Sequence, residues 1–363
     1  MSGLPSSLNH KSSFHSICRR NLNLLLLIIV VVLLMPACDN ESNHPITPHE
    51  FVFNWAYIES SPDLEYFQPL PPFTIGDNGE MWSCGYLVDG SFNDPVLAHY
   101  TSSGWYSYVF ANQVYDNYAY DIKIQPGANE VWATIKNVDF FGGEGIYRFA
   151  PELTPQRFIV VQQLPDAGML DFYDQTHGVM ITRHLDQTAT ALWLFDGQNW
   201  TSQPFQLDAI SGSVIDVSTY GPNYLTYAIT DDRFVVCWSN QFLSFEEFSV
   251  PLYSIKITGV DEGWLCTDDG LYYRTTSQPW TKYESFPGEK TFSLSIFDGK
   301  VWVAGEKSGI KKVWRLENAE FNEEATDGTG NGRLIMLPQQ TNGPYHGFIL
   351  EDLRLLERKW AVQ

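Results

Sequence analysis

The sequence lacks the short motifs that carry most enzyme chemistry. It has no nucleophile set in a glycine-flanked strand-to-helix turn and no paired metal-ligand motif. Its glycine-rich stretch, Gly328–Gly332, precedes no helix whose N–H groups would bind a phosphate. The histidines after residue 37 show no regular ligand spacing. We therefore expect no cofactor and no bound metal, and we favour a function other than catalysis.

Positive charge and cysteine are also scarce. The chain has 22 Lys and Arg against 43 Asp and Glu, a net charge of -21. Such an acidic protein repels nucleic acid, so we expect no nucleic-acid partner. Cys84, Cys237 and Cys266 lie in predicted strands and are too few for a disulfide scaffold. We expect them to be small buried apolar side chains, with a Cys237–Cys266 bridge as the alternative.

No apolar run is long enough to span a bilayer. The most apolar stretch, Leu24–Met35, has 12 residues, whereas a spanning helix needs roughly 18. It follows Arg19 and Arg20 and ends shortly before a small residue, which is the order of a secretory signal. We predict that residues 1–37 are a signal peptide, and their removal changes the net charge from -21 to -24.

Met35-Pro36-Ala37-Cys38 resembles the lipobox of bacterial lipoproteins. The resemblance implies cleavage before Cys38 and acylation of that residue, which makes the membrane a partner through a lipid anchor. Several acyl chains together give stable anchoring. Residues 38–50 then form a polar tether at the bacterial cell envelope, with the membrane and leaflet left open. The alternatives are an ordinary secreted protein and an uncleaved anchor.

The chain lacks any long stretch with a 3.6-residue apolar period, and β-strand patterns replace it. The clearest is Leu252–Gly288, in which turn residues separate short runs of β-branched and aromatic residues. The four predicted strands there are Ile255–Thr258, Trp264–Thr267, Leu271–Thr275 and Trp280–Ser285.

This four-strand plan recurs along residues 51–363. Seven openings of the second strand, from Trp82 to His346, have a mean spacing of 44 residues. Such a period predicts an all-β fold, a β-propeller of about seven four-stranded blades. Six or eight blades are the alternatives. Asn54–Pro62 resembles the fourth strand Pro279–Pro287, so we predict that it closes the ring against the last blade.

Leu192–Trp200 (LWLFDGQNW) resembles repeats of bacterial extracellular propellers of the regulator-propeller and Asp-box types. The resemblance covers roughly residues 51–363 as a pattern. A complete Asp-box is absent, and so are the repeated Trp-Asp strand ends of WD40 blades.

In a propeller, the loops that join fourth to first strands and second to third strands emerge on one face, here called the upper face. Loops predicted there are rich in aromatic and acidic residues, which suit a sugar ring or a protein with a basic patch. The alternative is that these aromatics fold inward over the sheet. The candidate ligand-binding residues are Phe92, Tyr115, Asp116, Tyr118, Tyr120, Asp139, Phe140 and Phe141.

Asp121, Asp171 and Asp216 occupy comparable positions on the predicted first strands, which line the axis. Three inward carboxylates suit a cation site or acid–base chemistry. The alternative is that they accept hydrogen bonds from neighbouring backbone or hold channel water. We therefore expect a lipid-anchored binding module for a glycan or a partner protein. The alternatives are a glycoside hydrolase or polysaccharide lyase, and a structural lipoprotein without a small ligand.

Overall fold

A computed structural model of the chain divides it into two compact units, Met1–Glu50 and Phe51–Gln363. The first unit, and Cys38 with it, lies outside the described residues. The structure describes residues 51–362 with the following gaps: 58–66, 76–80, 90–91, 102–103, 110–117, 129, 137–144, 151–156, 165–167, 183–190, 204–211, 240–241, 276–277, 298, 325–332, 338–345 and 352–353.

The described residues form 28 β-strands and no helix. The strands make seven four-stranded antiparallel sheets. The chain opens with β1 (Phe51–Tyr57), which belongs to sheet 7. Sheet 1 contains β2 (Phe67–Ile75), β3 (Met81–Asp89), β4 (Phe92–Thr101) and β5 (Gly104–Val109). Sheet 2 contains β6 (Tyr118–Gln125), β7 (Glu130–Lys136), β8 (Gly145–Ala150) and β9 (Arg157–Gln163). Sheet 3 contains β10 (Gly168–Phe172), β11 (Gly178–Thr182), β12 (Leu192–Phe195) and β13 (Trp200–Gln203).

Sheet 4 contains β14 (Val214–Tyr220), β15 (Leu225–Thr230), β16 (Phe234–Ser239) and β17 (Phe242–Glu247). Sheet 5 contains β18 (Leu252–Gly259), β19 (Glu262–Thr267), β20 (Gly270–Arg274) and β21 (Thr281–Lys282). Sheet 6 contains β22 (Lys290–Phe297), β23 (Lys300–Lys307), β24 (Ile310–Glu317) and β25 (Glu320–Glu324). Sheet 7 contains β26 (Arg333–Leu337), β27 (His346–Glu351) and β28 (Arg354–Val362), with β1 beside β28.

The four strands predicted within Leu252–Gly288 are confirmed as sheet 5. The last of them is shorter than predicted, since only Thr281 and Lys282 pair with β20. The chain turns at once, because the Phe286 N–H donates to the carbonyl of Tyr283 at 3.0 Å. That turn ends the ladder before the predicted strand is complete.

The predicted pairing of the N-terminal segment with the last unit is present. β1 runs antiparallel to β28, from Phe51 opposite Val362 to Tyr57 opposite Leu356. The first strand of each sheet also contacts the first strand of the next, and β26 contacts β2. Residues from the two ends of the second unit therefore complete one sheet together.

The core lies between neighbouring sheets, where aromatic rings from one sheet pack on the next. Trp132 of β7 lies 5.8 Å from Phe172, 5.3 Å from Phe195 and 6.2 Å from Trp200 between ring centroids. Those three rings belong to sheet 3, and the tilted and edge-on arrangements are the favourable ones for aromatic pairs. The recurring aromatics of the sequence thus join sheets, as expected of stacked repeats.

The predicted alternative of a Cys237–Cys266 disulfide is wrong, because both cysteines are free thiols. Cys266 is buried and Cys237 half-buried, and burial raises the pKa of both thiols. Within the described part of the chain, no helix has the length and apolarity to cross a membrane.

Candidate functional site

The first strands of sheets 1 to 6 surround a cavity of about 440 Å³, here called the central cavity. Its walls combine apolar side chains with hydroxyl groups, two lysines and one carboxylate. The described residues that line it are Thr74, Lys123, Ile124, Asp171, Phe172, Tyr173, Ser218, Thr219, Tyr220, Ser254, Lys256, Ile257, Thr258, Ser293, Leu294, Ser295 and Ile296.

A β-bulge recurs in these first strands. The pairing register shifts between Ala119 and Asp121 in β6, and between Val214 and Asp216 in β14. Equivalent shifts precede Ser254 in β18 and Ser293 in β22. Bulges bend a strand and re-aim the side chain beside them. Each of these shifts precedes a polar residue that is nearly buried (Asp121, Asp216, Ser254 and Ser293).

Two of the predicted axial carboxylates use this bulge to connect sheets. Asp121 accepts the Ile122 N–H at 2.9 Å and, from sheet 3, the Leu170 N–H at 2.8 Å. Asp216 accepts the Val217 N–H at 3.0 Å. From sheet 5, Asp216 also accepts bonds from the Ser254 hydroxyl and the Ile255 N–H, both at 3.0 Å. Bonds from backbone N–H groups to a buried carboxylate are strong and geometrically specific. The two carboxylates therefore act as clamps between first strands.

Asp171 connects sheets from a different position. It follows Leu170, the residue that Asp121 holds, so it is equivalent to Lys256 and not to Asp216. Its Oδ2 accepts the Thr219 N–H at 2.8 Å. The Ser218 hydroxyl accepts the Ile257 N–H at 3.0 Å in the same way. The expected equivalence of the three aspartates is thus wrong, and the hydrogen-bonding alternative describes what the carboxylates do.

Two lysines that were not among the predicted site residues lie in the cavity wall. Lys123 Nζ lies 3.5 Å from Asp121 Oδ2, and its side chain is only 10% exposed. Lys256 Nζ lies 3.9 Å from Asp171 Oδ1 across the intervening β14, with 30% of its side chain exposed. The signal was present in the sequence, because Ile-Lys-Ile occurs at residues 122–124 and again at 255–257.

Two tyrosines stand where the first strands end. Tyr173 and Tyr220 both line the cavity, with ring centroids 5.2 Å apart in an edge-on arrangement. Tyr173 remains 38% exposed. Tyr173 follows β10 and Tyr220 is the last residue of β14, so both lie on the side of the loops that join first to second strands, here called the lower face. This face is opposite to the upper face, on which the sequence predicts the ligand-binding loops.

A hydrogen-bonded turn adjoins this tyrosine pair. The Asp174 carboxylate accepts the Thr176 N–H at 2.7 Å and the His177 N–H at 2.8 Å. Partial burial alone raises the pKa of Asp174, but the bonds from Thr176 and His177 outweigh it and lower the pKa. The His177 ring lies 5.1 Å from the ring of Tyr224, whose hydroxyl donates to the carbonyl of Phe195 at 2.8 Å. This network fixes the loops around the lower mouth.

Most of the predicted upper-face site lies outside the described residues, namely Tyr115, Asp116, Asp139, Phe140 and Phe141. Phe92 begins β4 and Tyr118 begins β6, but the structure does not describe their side chains.

Tyr120 was expected in an exposed loop, and this expectation is wrong. It is the extra residue of the β6 bulge, and only 6% of it is exposed. No group of three His, Cys, Asp or Glu among the described residues is arranged to hold a metal ion.

Comparison with solved structures finds similar folds. A chain in the crystal structure of the mitotic checkpoint complex matches with a TM-score of 0.54 and 12% identity, over 85% of this chain and 99% of that one. Raptor from Chaetomium thermophilum matches with a TM-score of 0.55 and 9% identity. That match covers 85% of this chain and 29% of Raptor. The matched folds are WD40-like propellers, and at this identity the likeness concerns the fold alone. No family model and no curated protein matches the sequence.

Proposed function

We propose that residues 51–363 form a closed propeller of seven blades, each blade one of the sheets described above. The contacts of first strands from β2 through β26 and back to β2 support closure. β1 supplies the outermost strand of the seventh sheet, so the two ends of the second unit hold the ring together. The pairing of β1 with β28 gives this sheet a fourth strand, as in the other six sheets.

We further propose that this propeller is a binding module, held at the bacterial cell envelope by an acylated Cys38. The observation that carries the proposal is that the axial carboxylates are hydrogen-bonded to neighbouring sheets. Asp121, Asp171 and Asp216 each accept a backbone N–H of the neighbouring sheet. These acids hold the scaffold rigid, which suits a surface that presents loops to a partner.

A partner protein is the first candidate for what is bound. The propeller fold, shared with a chain of a multi-protein complex, supports it. In-cell photo-crosslinking tests it, with the photoreactive amino acid placed at Tyr115, which the sequence predicts in an upper-face loop, at Tyr173 on the lower face or at Phe245 on the outer strand β17. Phe245 is 55% exposed, and Leu265, fully buried, is the matched negative position.

We expect a discrete adduct from one of the three positions and none from Leu265. If none of the three positions yields an adduct in envelope-bound protein, the protein-partner proposal is wrong.

A glycan is the second candidate. The observations that favour it are the tyrosine pair at the mouth of the central cavity and the polar lining behind that pair. Aromatic rings pack against the C–H face of sugars, while polar side chains bond the hydroxyls. A glycan array probed with the full-length protein tests this candidate independently of the crosslinking.

The lipid anchor has its own test. Cys38→Ser removes the thiol that would be acylated, so the variant should move from the detergent-rich to the aqueous phase in detergent phase partitioning. Ser42→Ala, in the same tether, is the matched control and should stay with the detergent. A Cys38→Ser protein that still partitions with the detergent would show that the anchor lies elsewhere.

A further inference from the structure

We infer that the central cavity is a binding site for a neutral, polyhydroxylated ligand of the carbohydrate class, which enters past Tyr173 and Tyr220. The inference rests on the glycan form of the proposed function and names its site. It places the ligand on the lower face and at the axis, away from the aromatic loops of the upper face.

The cavity has the size of a ligand site. Its volume of about 440 Å³ falls within the roughly 300–1,000 Å³ usual for small-molecule pockets. Its walls belong to six consecutive first strands. Hydrogen bonds from one sheet to the next hold these strands in place. A pocket built on clamped strands is preformed, so a ligand entering it orders little of the protein.

Each of the two lysines in the wall is paired with a carboxylate, one of which, Asp121, is buried behind the wall. Lys123 lies beside Asp121, and Lys256 lies beside Asp171. The lysines would repel an inorganic cation and the carboxylates would repel an anion, so the two ion pairs together favour neither. An ammonium group beside a carboxylate instead offers a donor next to an acceptor. Vicinal hydroxyls of a sugar present the complementary arrangement.

The hydroxyl groups of the wall add further hydrogen-bonding capacity. Thr74 Oγ1 accepts the Ile124 N–H at 3.2 Å, and Ser218 Oγ accepts the Ile257 N–H at 3.0 Å. A hydroxyl that accepts a backbone N–H keeps its own proton for donation. Thr74 and Ser218 both line the cavity, so the hydroxyl groups that clamp the sheets also supply donors for a ligand there.

The mouth offers an apolar surface. Tyr173 and Tyr220 meet edge to face at 5.2 Å, which leaves the 38%-exposed Tyr173 accessible from the lower face. A sugar ring has an apolar C–H face and a polar rim of hydroxyls. Tyrosine at the entrance with hydroxyls and ion pairs behind it matches both parts of such a ligand.

The test is calorimetric titration of full-length protein in detergent with a panel of neutral mono- and disaccharides and the corresponding uronic acids. Lys256→Met removes the donor of the more accessible pair, and Tyr173→Ala removes the ring at the mouth. We expect each to weaken binding of the neutral saccharide about tenfold, the loss typical of one such contact.

Two controls match these variants. Tyr253→Ala removes a tyrosine of nearly equal exposure, 37%, that packs on Phe292 and does not line the cavity. Lys300→Met removes a lysine paired with Glu317, also away from the cavity. Both should bind the saccharide as the unaltered protein does.

Three outcomes would overturn the inference. Tighter binding of uronic acids, lost in Lys256→Met, would make the cavity an anion site. Saccharide binding unchanged in both cavity variants would place the glycan elsewhere and leave the glycan function standing. No binding to any member of the panel would show that the cavity takes no simple sugar, whereas the glycan function itself would fall only with a silent glycan array.

Discussion

The innermost and outermost strands of the sheets are held in different ways. The first strands are clamped across sheets by buried acceptors, such as Asp216, which bonds β14 to β18. The outer strands are held within their own sheet, as where Lys312 pairs with Glu323, whose side chain is 42% exposed. Buried polar bonds between sheets are therefore concentrated around the central cavity, whereas the Lys312–Glu323 pair of the periphery lies within one sheet and is exposed to solvent.

The strongest test of this comparison is Asp216→Ala. The change leaves the N–H groups of Val217 and Ile255 and the hydroxyl of Ser254 without their acceptor in a buried place. Buried donors without partners cost about 1–3 kcal/mol each, so we expect the free energy of unfolding to fall by about 3–5 kcal/mol. Urea denaturation measures it.

Glu323→Ala is the peripheral counterpart, since that carboxylate is 42% exposed and pairs with one lysine. It should change the free energy of unfolding by less than about 1 kcal/mol. Equal losses in the two variants would contradict the distinction between clamped inner strands and exposed outer ones.

A smaller effect is expected for a neutral clamp. Thr291, fully buried in β22, accepts the Thr267 N–H at 2.9 Å and donates to the carbonyl of Gly270 at 2.7 Å. Thr291→Val keeps the shape and removes both bonds, so we expect a loss of about 1–3 kcal/mol in unfolding free energy. Thr291→Ser keeps the hydroxyl and should recover part of that loss. A valine variant as stable as the unaltered protein would show that the Thr291 hydroxyl does not contribute to joining sheets 5 and 6.

The sequence predicted the repeating part of the fold because each sheet buries aromatics at fixed positions. Trp132 and Trp302, at the same place in two units, are both buried in the core. The sequence did not reveal the different position of Asp171, because the residues around Asp171 resemble those around Asp216. A bulge precedes Asp216 in β14, whereas the described part of β10 has none, and no local residue pattern predicts this difference.

The site was harder to predict than the fold. The upper-face loops drew attention because they combine aromatic and acidic residues. Lys123 and Lys256 were passed over because alternation along a strand does not reveal which polar residue faces an axis and which faces a neighbouring sheet. Their pairing with Asp121 and Asp171 depends on the positions of different strands, which only the assembled sheets determine.

The smallest expected effect concerns pH at the periphery. The Lys300 ammonium bonds Glu317 at 2.8 Å and, together with the charge of Arg315, lowers the pKa of Glu317 below its ordinary 4.5. A carboxyl with a lowered pKa in the folded state stabilises the protein above the unfolded pKa, and that contribution disappears as pH falls through the folded value. At an exposed pair it amounts to no more than about 1 kcal/mol. Urea unfolding at pH 7 and pH 3 should therefore show Glu317→Gln slightly less stable than the unaltered protein at pH 7, with the gap closing at pH 3. A difference in stability of the same size at pH 7 and pH 3 would mean that Glu317 acts through packing. The outer strands would then depend on more than exposed charge.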